Sequence, residues 1–78
     1  MTLEIITAEK VLYRGEAEMV TLPGELGSFT VLNNHASIIS VLVPGKVEYR
    51  TREGKSNSMD IKGGIVDVDN NVVSVCVY

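Results

Sequence analysis

The strongest constraint on this chain is the period of its apolar residues. They alternate with polar ones at every second position, in short runs, and no stretch shows a convincing three- and four-residue spacing of a helix. Gly, Pro and Asn cut the runs, as residues that end strands and supply turn conformations do. Leu3 to Thr7 predicts a first strand with Leu3 and Ile5 on one face. Val11 to Gly15 reads as a short extended piece ending at a turn, and Glu16 to Leu22 as a second strand stopped by Pro23-Gly24. The two faces of that second strand are ambiguous, which points to a bulge. Gly27 to Leu32 predicts a third strand with Phe29 and Val31 on one face. Asn33-Asn34-His35 follows as a polar turn, and Ser37 to Val43 as a fourth strand ended by Pro44-Gly45.

The last two hairpins can be assigned by register. Val47, Tyr49 and Thr51 alternate with charged residues, as Met59 and Ile61 alternate with polar ones on the return. A two-residue turn at Glu53-Gly54 sets Tyr49 opposite Ser58. A three-residue loop, Glu53 to Lys55, sets Tyr49 opposite Met59 and Val47 opposite Ile61, and burial of one face selects it. Gly63-Gly64 breaks the chain or admits a close strand. Asn70-Asn71 supplies the positive φ of a two-residue primed turn, which places Val68 opposite Val73 and Val66 opposite Val75. Asp67 then falls opposite Ser74, and Cys76 opposite Ile65. About eight to ten short strands with tight turns predict an all-β chain, an antiparallel sandwich or barrel. Val72 to Tyr78 is apolar and β-branched, so it is expected to be paired inside a sheet or covered by a partner.

Composition narrows function. At 78 residues the chain is one domain, 1–78. A body of this size buries only about 60–65% of its unfolded surface and has little room for a deep catalytic cleft. The net charge is −3, and the acidic excess lies in the first half, where Glu4, Glu9, Glu16, Glu18 and Glu25 face only Lys10 and Arg14. That balance argues against nucleic acid and against anionic lipid. Cys76 is the only cysteine, so no intrachain disulfide forms and a reducing compartment is expected. The start lacks the pattern of a signal peptide, and no apolar run is long enough to span a membrane.

The catalytic inventory is thin. His35 is the only histidine, nothing around a serine resembles a nucleophile elbow, and Cys76 sits in a valine-rich strand as a small apolar residue. One histidine with scattered carboxylates makes no zinc site, and no glycine cluster matches a phosphate loop. Glu16 and Glu18 read as solvated rather than as an acid–base pair. No catalytic residue, metal or cofactor is expected.

The segment Gly27-Ser28-Phe29-Thr30-Val31-Leu32-Asn33-Asn34-His35-Ala36 resembles the epsilon subunit of the F-type ATP synthase (delta in mitochondria), in its N-terminal β-sandwich domain. Pro44-Gly45-Lys46-Val47, then Gly63-Gly64-Ile65-Val66-Asp67-Val68, follow at the family's spacing without gaps, and Leu3 to Thr7, Ala8-Glu9 and Gly15 fit its opening. Asn33-Asn34 and Ser37 depart from the family's Pro-Gly and Pro. Gly24-Glu25-Leu26-Gly27 looks like a family motif but lies three residues early, so the register puts Ser28 at the family's acidic position. The family's C-terminal helical hairpin, to which inhibition and ATP binding are attributed, has no counterpart here, and neither property is expected of this chain.

The resemblance implies an antiparallel β-sandwich of about ten strands in two sheets. It implies a non-catalytic rotor subunit in the central stalk, at the cytoplasmic face of a bacterial inner membrane and peripheral to it, which couples proton-driven rotation to ATP synthesis. The implied partners are the gamma subunit and the ring-forming membrane subunit. Carried over position by position, the ring-facing residues are Gly27, Ser28, Phe29 and Thr30, and the gamma-facing residues are Thr7, His35 and Ser40. The alternative is a free-standing sandwich that binds a small ligand or peptide, which requires a concave apolar pocket with convergent polar groups. A hydrolase built on His35 requires an acid or nucleophile within about 3 Å of its ring.

Overall fold

A computed structural model describes residues 1–78. Eight strands follow one another with no helix: β1 (Thr2–Ile6), β2 (Val11–Gly24), β3 (Gly27–Leu32), β4 (Ile38–Leu42), β5 (Gly45–Thr51), β6 (Ser56–Ile61), β7 (Gly64–Asp69) and β8 (Val72–Val77). Hydrogen bonding runs through them in the order β1-β8-β7-β4-β2-β5-β6, with β3 on β2 and a further pairing of β1 to β2.

The sheet folds over on itself because β2 serves two layers. Its first part pairs with β1, and Ala17 to Gly24 pairs with β5 and β3. One layer is β1-β8-β7-β4 and the other β3-β2-β5-β6. Alternate side chains of the first (Leu3, Ile5, Val66, Val68, Val73, Val75) meet those of the second (Val20, Leu22, Val31, Val47, Tyr49) in one core. No charged or polar side chain is buried.

The all-β class holds, with three corrections. There are eight strands rather than about ten, because the two pieces assigned to Val11–Gly15 and Glu16–Leu22 are halves of β2. Gly15 ends nothing. It gives room to the Tyr13 ring, which lies over it and donates from its hydroxyl to the Glu16 carbonyl at 3.1 Å. The ambiguous faces come from a bulge. Ala17 lies opposite Thr51 and Met19 opposite Arg50, so Glu18 is the extra residue. The buried set accordingly shifts from Ala17 to Val20 and Leu22.

The second correction is that the sheet is not wholly antiparallel: β1 and β8 run parallel, with Leu3 beside Val73 and Ile5 beside Val75. Alternation has the same period in both kinds of ladder, so the residues carry no signal that separates them. The third concerns β5 and β6. Val47 lies opposite Met59, Tyr49 opposite Asn57 and Gly45 opposite Ile61, so the expected face is right and the expected partners are two positions out. The loop has three residues, but they are Arg52, Glu53 and Gly54. The Thr51 N–H donates to the Lys55 carbonyl at 2.8 Å and the Gly54 N–H to the Thr51 carbonyl at 2.9 Å. Such a loop needs a left-handed residue in third place, and Gly54 takes φ 87° there.

The last hairpin is as expected. Asn70 and Asn71 adopt φ 49° and 61°, Val68 faces Val73, Val66 faces Val75, Asp67 faces Ser74 and Ile65 faces Cys76. β8 is paired on both sides, by β7 and β1. Its apolar length is therefore never a free edge.

Candidate functional site

The two groups of residues carried over from the resemblance lie in different layers. Gly27 to Thr30 opens β3, at the tip of the β2–β3 hairpin, where Gly24 lies opposite Gly27 and Pro23 opposite Ser28. Gly27, Ser28 and Thr30 are exposed. The Thr30 hydroxyl shares a 2.9 Å hydrogen bond with that of Thr21 on the outer face. Phe29 points the other way and packs half-buried against the core, so its ring supports the segment from below. Two backbone bonds tie the tip down. The Glu25 N–H donates to the Val41 carbonyl and the Val43 N–H to the Pro23 carbonyl, both at 2.9 Å.

Thr7, His35 and Ser40 belong to the β1-β8-β7-β4 layer but do not cluster. Thr7 follows β1 at the tip end of the molecule, and its hydroxyl accepts from the Glu9 and Lys10 N–H groups at 3.2 and 3.1 Å, closing the β1–β2 turn. Ser40 sits half-buried in mid-β4, opposite Val66. Its hydroxyl donates to the Val41 carbonyl at 3.2 Å. His35 lies at the other end, beside the Asn70-Asn71 turn. Thr7 and His35 are thus separated along the strands by roughly five residue rises, about 17 Å.

The turn at His35 explains how Asn33-Asn34 replaces Pro-Gly. Asn34 adopts φ 63°, a left-handed conformation that asparagine tolerates, and its N–H donates to the Asn71 side-chain oxygen at 2.8 Å. The two polar turns are fastened together. His35 donates from Nδ1 to the Ala36 carbonyl at 2.6 Å. No carboxylate, hydroxyl or thiol is hydrogen-bonded to its ring.

The outer face of the same layer carries a feature not singled out in the sequence. Ile6, Cys76, Ile65 and Val41 lie side by side across four strands, and Ile39 is next in line on β4. Ile39, Val41, Ile65 and Cys76 are all exposed. Cys76, read from its valine-rich strand as a small apolar residue, is on the surface. The signal was present in Ile38-Ile39-Ser40-Val41-Leu42, whose apolar residues occupy both faces and cannot all be core.

Nothing else gathers chemistry. No group of three His, Cys, Asp or Glu side chains is placed to hold a metal ion. The Tyr49 phenol is held above the ordinary tyrosine range first by burial and then by Tyr13, whose ring centroid is 4.5 Å away. The largest depression, about 590 Å³, is a shallow groove between the Thr7–Lys10 turn and Cys76–Tyr78. No helix is long and apolar enough to cross a membrane.

Comparison with known proteins agrees with this geometry. The family described as "ATP synthase, Delta/Epsilon chain, beta-sandwich domain" matches residues 1–78. The chain is similar to the ATP synthase epsilon chain of Nitratiruptor sp., 42% identical over 99% of this chain and 60% of that one. It is similar also to that of Sulfurimonas denitrificans, 43% identical over 99% of this chain and 59% of that one. It thus spans about three-fifths of the length of these curated relatives. In fold it is similar to a chain of the Euglena gracilis mitochondrial ATP synthase, with a TM-score of 0.90 at 23% identity over 96% of this chain and 48% of that one. With a family match along all 78 residues and relatives above 40% identity across nearly its whole length, the chain belongs to the ATP synthase delta/epsilon chain family, in its β-sandwich domain.

Proposed function

We propose that this chain is the β-sandwich of a central-stalk rotor subunit of an F-type ATP synthase. It does no chemistry itself. It binds the gamma subunit along the β1-β8-β7-β4 layer and rests on the membrane rotor ring through the β2–β3 tip, as a peripheral part of the complex at the cytoplasmic face of a bacterial membrane. The observation that carries this reading is the family match over the entire chain. Support comes also from the Tetrahymena thermophila chain of similar fold, TM-score 0.84, whose structure is titled as a central stalk and c-ring.

The physical design suits the role. A coupling element must keep its shape under torque, and a doubly layered sheet with short, hydrogen-bonded turns does so. The gamma-facing side has what a lasting interface needs, an exposed apolar row of Ile65, Val41 and Ile39 with polar Thr7 and His35 in the turns at its two ends, while Ser40 lies on the opposite face of β4 with Ile38 and Leu42. The two contacts lie in separate layers, so one rigid body can hold both partners at once. A ligand-binding sandwich would instead present a deep apolar pocket.

The test is site-directed crosslinking in the assembled complex. Ser28→Cys is expected to crosslink to the ring subunit's polar loop. Asn57→Cys, on the far edge strand β6, is expected not to. Failure of the first, or equal yields from both, would contradict the proposed orientation.

A further inference from the structure

We infer that β8 floors a socket for one basic side chain of the gamma subunit, whose apolar stem lies along Ile6, Cys76 and Ile65 and whose charge sits between Glu4 and Asp67. This rests on the gamma-facing reading of the β1-β8-β7-β4 layer, and it adds the site on that layer and the chemistry of the residue that fills it.

The socket follows from side-chain size across three strands. On the outer face β8 presents Ser74 and Cys76, both small and both exposed. Ser74 lies between Glu4 of β1 and Asp67 of β7, and Cys76 lies between Ile6 and Ile65. Each small residue thus has a larger one on either side. The two walls stand two strand spacings apart, about 9–10 Å. The low floor between them leaves a depression of about 140 Å³ among these six side chains.

Its two ends differ in chemistry. The row Ile6–Cys76–Ile65 is apolar, the row Glu4–Ser74–Asp67 is acidic, and they are two residues apart along the strands, about 7 Å. Lysine and arginine have the same division, an aliphatic stem that packs on apolar surface and a charged head beyond it. A wholly apolar side chain would cover the carboxylates without pairing them, at a cost in desolvation.

The chain does not supply the cation itself. Asp67 belongs to none of its three ion pairs. Glu4 accepts from Arg14 Nε at 2.6 Å, but Arg14 stands on β2, on the side of β1 away from the depression. Lys10 and Lys62 lie in the connections beyond the apolar row. Asp69, two residues past Asp67, accepts from the Ser37 hydroxyl at 2.6 Å and adds to the negative charge of that end. A second copy of this face would set its carboxylates against each other, so charge selects a basic partner over self-association.

The unsubstituted chain carries its own probe, since Cys76 is its only cysteine and forms the floor. Labelling of Cys76 by a maleimide is expected to slow by roughly tenfold or more when gamma is bound, because access limits the reaction. Asp67→Asn is expected to weaken binding to gamma by about tenfold at low salt. The difference should shrink toward about 1 M salt, where the screening length is about 3 Å. Ser74→Leu, which fills the floor, is expected to weaken binding at every salt concentration. Asp69→Asn is expected to bind as the unsubstituted chain does, and all three variants to keep its melting temperature. If the chain binds gamma but Cys76 labels equally fast in the complex, or if Asp67→Asn and Ser74→Leu bind normally, the socket assignment is wrong and the gamma reading stands. Equal effects of Asp69→Asn and Asp67→Asn would replace the socket with a diffuse acidic field and overturn it. If the unsubstituted chain does not bind gamma, the reading of this layer falls and the inference with it.

Discussion

Gly64→Ala is expected to remove about 2–4 kcal/mol of folding stability, a large share of the roughly 4–12 kcal/mol available to a domain of this size. Gly64 is buried between β4 and β8, opposite Leu42 on one side and Val77 on the other. A Cβ built there would fall on the Cys76 carbonyl oxygen and lie 3.0 Å from the Val77 Cα. Both atoms are backbone, so no flexible side chain can give way, and the β7–β8 ladder has to part locally. The sequence showed only that two glycines precede the last hairpin. The fold shows why the second is needed: three strands are drawn together at the level of Leu42, Gly64 and Val77. Denaturant titration measures the loss, and a change below about 1 kcal/mol would mean that the ladder shifts without strain.

Val75→Ala is expected to cost about 1.5–3 kcal/mol. Val75 is 1% exposed and lies at the centre of β8, between Val66 of β7 and Ile5 of β1. Each of its neighbours belongs to a paired strand, so the space left by two methyl groups cannot close by local collapse. A loss under about 0.5 kcal/mol would show that this row is not the centre of the core.

These two positions also mark how far residues alone could be read. The β7–β8 hairpin was legible because two independent signals agreed. Asn70-Asn71 fixed the turn, and the valines fixed the face. The β5–β6 hairpin was legible to its face and no further. Parity places Val47, Tyr49, Met59 and Ile61 on one side under either loop position, and only the left-handed demand on Gly54 selects Arg52 to Gly54. The residues alone divide β2 at Gly15, because a glycine that makes room for the Tyr13 ring looks the same in sequence as one that ends a strand. The parallel pairing of β1 with β8 left no mark at all, since it joins the two ends of the chain and uses no turn.

The candidate surface was legible in a different sense. Ser28 and Thr30 face outward and Phe29 inward, as alternation requires. The separation of Thr7 from His35 follows from topology, which no local pattern contains. The exposed apolar row from Ile39 to Ile65 is written in the residues only in part: β4 has too many apolar side chains for one face, but which strands lie beside it to continue the row is set by topology.

The central claim is that this sandwich joins two partners through two separate layers. Co-purification tests it most directly. The chain is co-expressed with the gamma subunit and the ring-forming subunit, captured through a tag on gamma, and the retained subunits are quantified. The account predicts that the chain is retained with gamma in equal amount, and that the ring subunit is retained more strongly when the chain is present than when it is omitted. A chain that elutes alone, with gamma and ring recovered equally well without it, would contradict the account.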